Sequence, residues 1–167
     1  MFTTIKDFEL DFQHEANETH KIFEALTDVS LGQSVAKDHR TLGRMAWHIV
    51  GTYAEMPKHA ELKVIGVTEN APMPKSASEI ARVYRAVSNE LLAQVTTKWK
   101  DSDLQLENNF YGMMWKRGLM LDILIRHEVH HRGQMTVLMR QAGLKVPGVY
   151  GPAKEEWAGM GMNPPEL

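Results

Sequence analysis

Met113 to Gly143 reads MMWKRGLMLDILIRHEVHHRGQMTVLMRQAG, and its apolar residues Met120, Ile123, Leu124 and Leu138 recur at the three- and four-residue steps of a helix. Gln141-Ala142-Gly143 ends the pattern with glycine at the position where helices commonly turn left-handed. The spacing predicts one long helix over about residues 113–142. At 100° per residue, His127 and His131 differ by about 40°, and Met120, Leu124 and Leu138 lie within about 60° of His127. Both imidazoles are therefore expected to face the interior against which this helix packs.

Three further segments carry the same period. Ile5, Phe8, Phe12, Thr19, Ile22, Phe23 and Leu26 mark a helix over about residues 3–28. Thr41 is the expected N-cap of a second, which runs through Met45, Ala46, Ile49 and Val50 to about residue 56, because Pro57 disfavours helix at the residue ahead of it. Asn70-Ala71-Pro72-Met73-Pro74 is loop by composition. Ser76-Ala77-Ser78-Glu79 has the Ser-x-x-Glu form of a capping box and opens a third helix over about residues 76–99, through Ile80, Val83, Val87, Leu91 and Val95. Asp101 to Tyr111 reads as a polar connection with room for a short extended piece. Val146 to Pro152 reads as loop, followed by one helical turn around Lys154 to Trp157. No strand of convincing alternation and no internal repeat is visible. Four long amphipathic helices in 167 residues predict an all-α chain, one domain over residues 1–167 with the architecture of a four-helix bundle.

Composition narrows the chemistry. With 43% hydrophobic and 24% charged residues the chain has ordinary globular usage, which excludes a disordered or fibrous protein. Nineteen basic against 21 acidic side chains leave a formal charge of -2, so the phosphate attraction behind nucleic-acid binding has no global source and no nucleic-acid partner is expected. Cysteine is absent, which excludes disulfides, thiolate metal sites and a catalytic thiol, and fits a reducing compartment. The longest charge-free run, Met45 to Ala54, is far short of the roughly 20 apolar residues of a membrane span, so a cytoplasmic location without a membrane partner is expected. No Ser/His/Asp order, phosphate loop or Gly-rich dinucleotide turn points to another catalytic class.

The histidines carry the chemistry that remains. Imidazoles at i and i+4, as at His127 and His131, can place two nitrogens within reach of one ion. His48 sits in the apolar stretch Met45 to Val50 and is expected to be partly buried. By itself such a histidine is more often a hydrogen-bonded core residue than a ligand. Three inward imidazoles would leave open positions on a zinc, nickel or iron ion, the arrangement of a catalytic site. His130 lies about 60° from His127 and competes with His131 for the ligand role, or is held outside it beside Arg132 and Gln134; His131 is favoured. His14, His20, His39 and His59 have polar neighbours and are expected at the surface. Glu55, seven residues after His48, is either an acid/base near the ion or, more commonly for such a position, a surface glutamate at a helix end. Tyr150 and Trp157 are candidate pocket walls. Arg117, Arg126, Arg132 and Arg140 read as a basic seam that is solvated or salt-bridged.

A histidine in an apolar second helix, then His127-Glu128-Val129-His130-His131-Arg132-Gly133-Gln134-Met135, Leu138-Met139-Arg140-Gln141-Ala142-Gly143, Val146-Pro147 and Tyr150-Gly151-Pro152, resembles the DinB-like superfamily, the DinB/YfiT group of metalloenzymes. That resemblance implies an up-down-down-up four-helix bundle, often a homodimer, with a divalent ion held by three histidines. Carried over by position, these are His48, His127 and His131; further catalytic residues are not implied. Relatives in the superfamily include S-transferases and isomerases that use low-molecular-weight thiols such as bacillithiol or mycothiol. The expectation is a divalent-metal-dependent enzyme of the thiol S-transferase or hydrolase kind, acting on a small-molecule substrate. The alternative is a non-catalytic dimeric helical protein that binds a metal or a small molecule. Trp99, Phe110, Met113, Met114 and Trp115 supply more apolar surface than one small core needs, which also favours a homodimer.

Overall fold

The computed structural model describes residues 1–65, 67 and 71–166; Asn70, the first residue of the expected loop, lies outside them. Helix α1 spans Ile5–Glu24, with the Thr4 hydroxyl accepting from the Asp7 N–H at 3.1 Å. It stops short of residue 28 because Thr27 and Ser30 offer the backbone local alternatives: Thr27 N–H donates to Ser30 Oγ, and that hydroxyl donates to the Thr27 carbonyl at 2.7 Å. Helix α2 spans Leu42–Glu55, capped by Thr41 as expected, and passes at Pro57 into a short 3-10 segment, Met56–Ala60.

Helix α3 spans Ala77–Lys98. Ser76 caps it by accepting from Glu79 N–H, but only half of the expected capping box forms. Glu79 turns to the Arg82 guanidinium instead, and the Ala77 N–H donates to the Asp28 carboxylate at 2.7 Å. A distant acid thus satisfies a different free donor of the helix start, the N–H of its first residue.

Residues 113–116 are not helical. Strands β1 (Glu107–Phe110) and β2 (Met113–Lys116) pair antiparallel, Phe110 opposite Met113. Tyr111 and Gly112 turn between them with φ of 55° and 85°, and the Asn109 side chain accepts from Gly112 N–H. Two successive left-handed residues make the tight turn whose twist suits a hairpin. The expected extended piece is therefore present, but it takes the first four residues assigned to the last helix into a sheet. Helix α4 runs over Arg117–Gln141 and ends as its glycine predicts: Gly143, at φ 75°, donates to the Arg140 carbonyl and Leu144 N–H to that of Met139. A final 3-10 turn falls at Trp157–Met160, displaced from the expected Lys154–Trp157.

The four helices share one core, α1 and α2 each packing on both α3 and α4. Phe8 and Phe12 from α1, Ile49 and Tyr53 from α2, Tyr84 and Leu91 from α3, and Met120 and Met135 from α4 are buried in it. Trp99 and Phe110 are buried as well, so of the apolar surplus only Met113 and Met114 stand fully outside, with Trp115 half-buried. Phe2 crosses α4 at Gly118 and donates to its carbonyl; a Cβ there would collide with the Phe2 carbonyl oxygen, so the crossing requires glycine. No described helix is long and apolar enough to cross a membrane.

Candidate metal centre

Packing of α2 on α4 brings His48 to the face that carries His127 and His131. His48 Nε2 lies 3.1 Å from His127 Nε2, and His131 Nε2 also lies 3.1 Å from it. One nitrogen from each ring falls within 4.8 Å of the other two. The rings meet edge to face, with centroids 4.5–4.9 Å apart. Nitrogens held at 2.0–2.1 Å in a tetrahedral shell lie about 3.3–3.4 Å from each other. Two of the three spacings are close to that and the third pair lies within 4.8 Å, so the donor set is compatible with a divalent ion and leaves room for further ligands.

Protons alone cannot satisfy these nitrogens. His131 Nδ1 sits 2.7 Å from Gln134 Oε1, an acceptor, so Nδ1 carries the hydrogen and Nε2 presents a lone pair to the centre. His127 Nε2 has one site and two close neighbours, and whichever tautomer it takes, one N···N contact has no bridging proton. A shared cation removes that conflict. Burial, the Arg40 guanidinium and the neighbouring rings push His48 down to about 4, against a weaker opposing pull from Glu55. Burial first, then His131, His130 and Arg40, hold His127 at about 4 as well. His131 is also lowered by burial, partly offset by Gln134. All three rings are thus neutral near pH 7, the form that binds metal.

The cluster opens to solvent on both sides. A hollow of about 430 Å³ beside His48 is walled by Arg40, Arg44, Trp47, Thr52 and Glu55. A second, of about 550 Å³, meets His131, Gln134, His39, Arg40 and Met45. The first wall is pinned where the Trp47 indole N–H donates to the Ala71 carbonyl at 2.9 Å. Gly51 lies on its floor, and a Cβ there would meet nothing within 4 Å.

A family model described as the DinB family matches residues 1–166. The chain belongs to the DinB family. It is 45% identical over 167 residues to an uncharacterized protein, YrdA, of Bacillus subtilis (strain 168), each chain covered in full. A DinB-like protein from Bacillus cereus ATCC 10987, solved by crystallography, matches at 45% identity and a TM-score of 0.87, covering 90% of this chain and 100% of its own. The DinB-like YjoA of B. subtilis shares the fold at a TM-score of 0.67 and 14% identity, with 86% and 97% of the two chains covered.

Other sequence-predicted residues of this DinB-family chain divide. His130 is exposed and outside the cluster, so His131 is the one that meets His127. His14, His39 and His59 are exposed as expected, whereas His20 is mostly covered, its side chain 12% exposed beside the Tyr84 ring, with burial lowering its pKa. Glu55 is not a free surface glutamate: it lines the hollow, accepts from the Tyr111 hydroxyl at 2.6 Å and faces His59 at 3.4 Å. The arginines of α4 form no seam. Arg117 and Arg132 are buried, Arg126 and Arg140 exposed, and each meets its own carboxylate, respectively Glu61, Glu15, Asp122 and Glu155. Tyr150 does not wall either hollow; it joins Arg132 and Glu15.

Sequence reading missed what stands behind the cluster. Glu128, 1% exposed, accepts from the Thr19 hydroxyl at 2.5 Å, from Tyr84 at 2.8 Å and from Tyr53. Its pKa is raised by burial, which those hydrogen bonds and Arg132 only partly oppose. The available signal was its position: one residue past His127 it turns about 100° away, toward α1 and α3.

Proposed function

We propose that the chain is a divalent-metal-dependent enzyme of the thiol S-transferase or hydrolase kind, its ion held by His48, His127 and His131. One observation carries the reading: three neutral imidazole nitrogens converge at metal-ligand spacing under an open hollow of small-molecule size. Zinc, nickel and iron all accept such a set. Bound there, the ion would favour the deprotonated form of a thiol or water and so supply a nucleophile at neutral pH.

The chain's own residues do the rest. Gln134 fixes the tautomer and aim of His131. Glu55 is the carboxylate on the same face of α2, two turns beyond His48, and takes up the proton that the nucleophile loses. Tyr111 orients it from the hairpin. The substrate is a small molecule, and in the S-transferase form of the reading a low-molecular-weight thiol is the co-substrate. The four helices run up-down-down-up, supported by the long connection between Glu55 and Ala77. Two copies associate, supported by Met113 and Met114, 52% and 59% exposed on β2.

The test is elemental analysis of protein purified without a nickel column. Wild type retains close to one equivalent of a divalent metal, while dialysed His48→Ala, His127→Ala and His131→Ala each lose it and stay folded. Thiol transfer to a panel of electrophiles then vanishes on chelation and returns with the metal. Wild-type metal content in all three variants would sink the site. Sedimentation at micromolar concentration reads the association, and a monomer alone rejects it.

A further inference from the structure

Arginine pairing in this protein is uneven. Arg82, Arg85, Arg117, Arg126, Arg132 and Arg140 each meet a carboxylate. The guanidiniums of the two others, Arg40 and Arg44, have no hydrogen-bond or carboxylate partner among the described residues, and both side chains wall the hollow beside His48. Arg40 also borders the second hollow, so it stands between the two openings of the histidine cluster, and its charge bears on all three rings.

A solvated surface arginine is the ordinary explanation for an unpaired guanidinium, but it does not explain the clustering. Two guanidiniums beside a site that takes a divalent cation on neutral ligands concentrate positive charge in one cleft. Glu55, the acid on that wall, lies eleven residues along α2 from Arg44, about 16 Å by helical rise, and is engaged by Tyr111 and His59. Asp38 borders the other hollow. An anion between the guanidiniums and the cluster would relieve the repulsion. Arg44 and His48 are one turn apart on one face of α2, about 6 Å along its axis. The planar fork of arginine matches carboxylate and phosphate oxygens two at a time.

We propose that Arg40 and Arg44 form an acid-recognition subsite, so that the substrate carries a carboxylate or phosphate about one helical turn from its reacting atom. The assignment rests on the reading of the histidine cluster as the reactive centre, but the subsite is testable without it. Metal-free protein, in which no anion can sit on the ion, is titrated at constant ionic strength with inorganic phosphate, with succinate and with neutral 1,4-butanediol. The readout is the Trp47 indole N–H resonance in the same wall. Phosphate or succinate moves it saturably, butanediol does not, and the tighter of the two anions identifies the acid. Arg40→Gln/Arg44→Gln binds at least tenfold more weakly, Arg40→Lys/Arg44→Lys keeps part of the affinity, and Arg126→Gln, remote from the wall, binds as wild type. Equal binding by the double glutamine variant, or an equal response to butanediol, overturns the subsite. Metal content of that variant equals wild type; if the histidine variants instead keep their metal, the functional reading fails while the anion titration still decides the subsite.

Discussion

His127 and His131 look from α4 toward α2, while Glu128 and Arg132, each one residue further on, look toward α1, where Thr19 meets both. In the Glu128 cluster every polar group has a partner inside the chain. Tyr53, Tyr84 and Thr19 donate to the carboxylate, Thr19 accepts from Arg132, and Arg132 ends on Glu15 and Tyr150. In the histidine cluster three ring nitrogens meet with no proton arrangement that suits them all. A closed network holds helices together; an open one waits for a ligand. Breaking the first should cost the fold, and breaking the second should cost the ion.

The largest effect is expected at Glu128. Glu128→Ala takes away the acceptor of the Tyr53, Tyr84 and Thr19 hydroxyls, leaving Tyr84 only the Ala16 carbonyl at 3.4 Å, and puts Arg132 beside a void, at a cost of about 3–5 kcal/mol. Glu128→Gln keeps the volume and should cost about 1–2 kcal/mol, since its amide N–H₂ must face a donor. His48→Ala in metal-free protein should stay within about 1 kcal/mol of wild type, because nothing closed is broken. Urea unfolding of the three variants decides; a Glu128→Ala loss no larger than that of His48→Ala erases the contrast.

Gln134 comes next, because among the described residues it is the one side chain that hydrogen-bonds a ring of the open cluster from outside. Gln134→Ala frees His131 to turn and to shift its proton to Nε2, and metal affinity should fall about 10–100-fold with no change in unfolding free energy. Competition with a chelator measures this. An unchanged affinity would mean that packing alone orients His131.

A smaller effect separates the clusters by pH. His48 and His127 sit near 4 in the folded chain and near 6.5 unfolded, so between those values the unfolded chain binds more protons. Metal-free stability is thus complete above about pH 6.5 and declines as pH falls toward 4, by about 1 kcal/mol per ring once solvent screening of these half-open groups is allowed for. Glu128, raised in the folded state, works in the opposite direction. The difference between wild type and His48→Ala/His127→Ala isolates the histidine part. A flat difference across that window would show that the rings carry no such penalty. With metal bound, release should require a pH well below 6.5, because the ion competes with protons only where neutral rings begin to protonate.

The open cluster was legible in sequence and the closed one was not. His127 and His131 announce themselves by spacing and by apolar neighbours, His48 joins them only through the family resemblance, and the helix that carries the pair ends where its glycine says. Helical period also placed α2 and α3 to within a residue at each end. Period says nothing about which distant partner meets Glu128, because Thr19, Tyr53 and Tyr84 come from three other helices and each reads locally as core. The hairpin was lost for a related reason: Met113 to Trp115 are as apolar as a helix start, and the turn at Tyr111-Gly112 is decided by two left-handed residues of which only Gly112 signals itself. Arg40 carries no local signal at all; its significance lies in the carboxylate that none of the described residues offers it.

The smallest expected effect marks the outer limit of the closed network. The Tyr150 hydroxyl accepts from Arg132 Nη2 at 2.6 Å and donates to the Glu15 carboxylate at 2.7 Å, while the guanidinium lies 5.1 Å from the centre of its ring. Tyr150→Phe removes both hydrogen bonds but keeps the ring against the cation. Arg132 retains Glu15 Oε2 at 2.6 Å, the Glu15 carbonyl and Thr19. Because Tyr150 is 67% exposed, water can replace the missing hydroxyl, and the loss should not exceed about 1 kcal/mol. Tyr150→Ala also gives up the ring over Arg132 and should cost about 0.5–1 kcal/mol more. Metal content should be unchanged in both. A Tyr150→Phe loss as large as that of Glu128→Ala would show that the network is held from its exposed end and not from the buried carboxylate, and a loss of metal would show that the two clusters on α4 are coupled through Arg132 and His131.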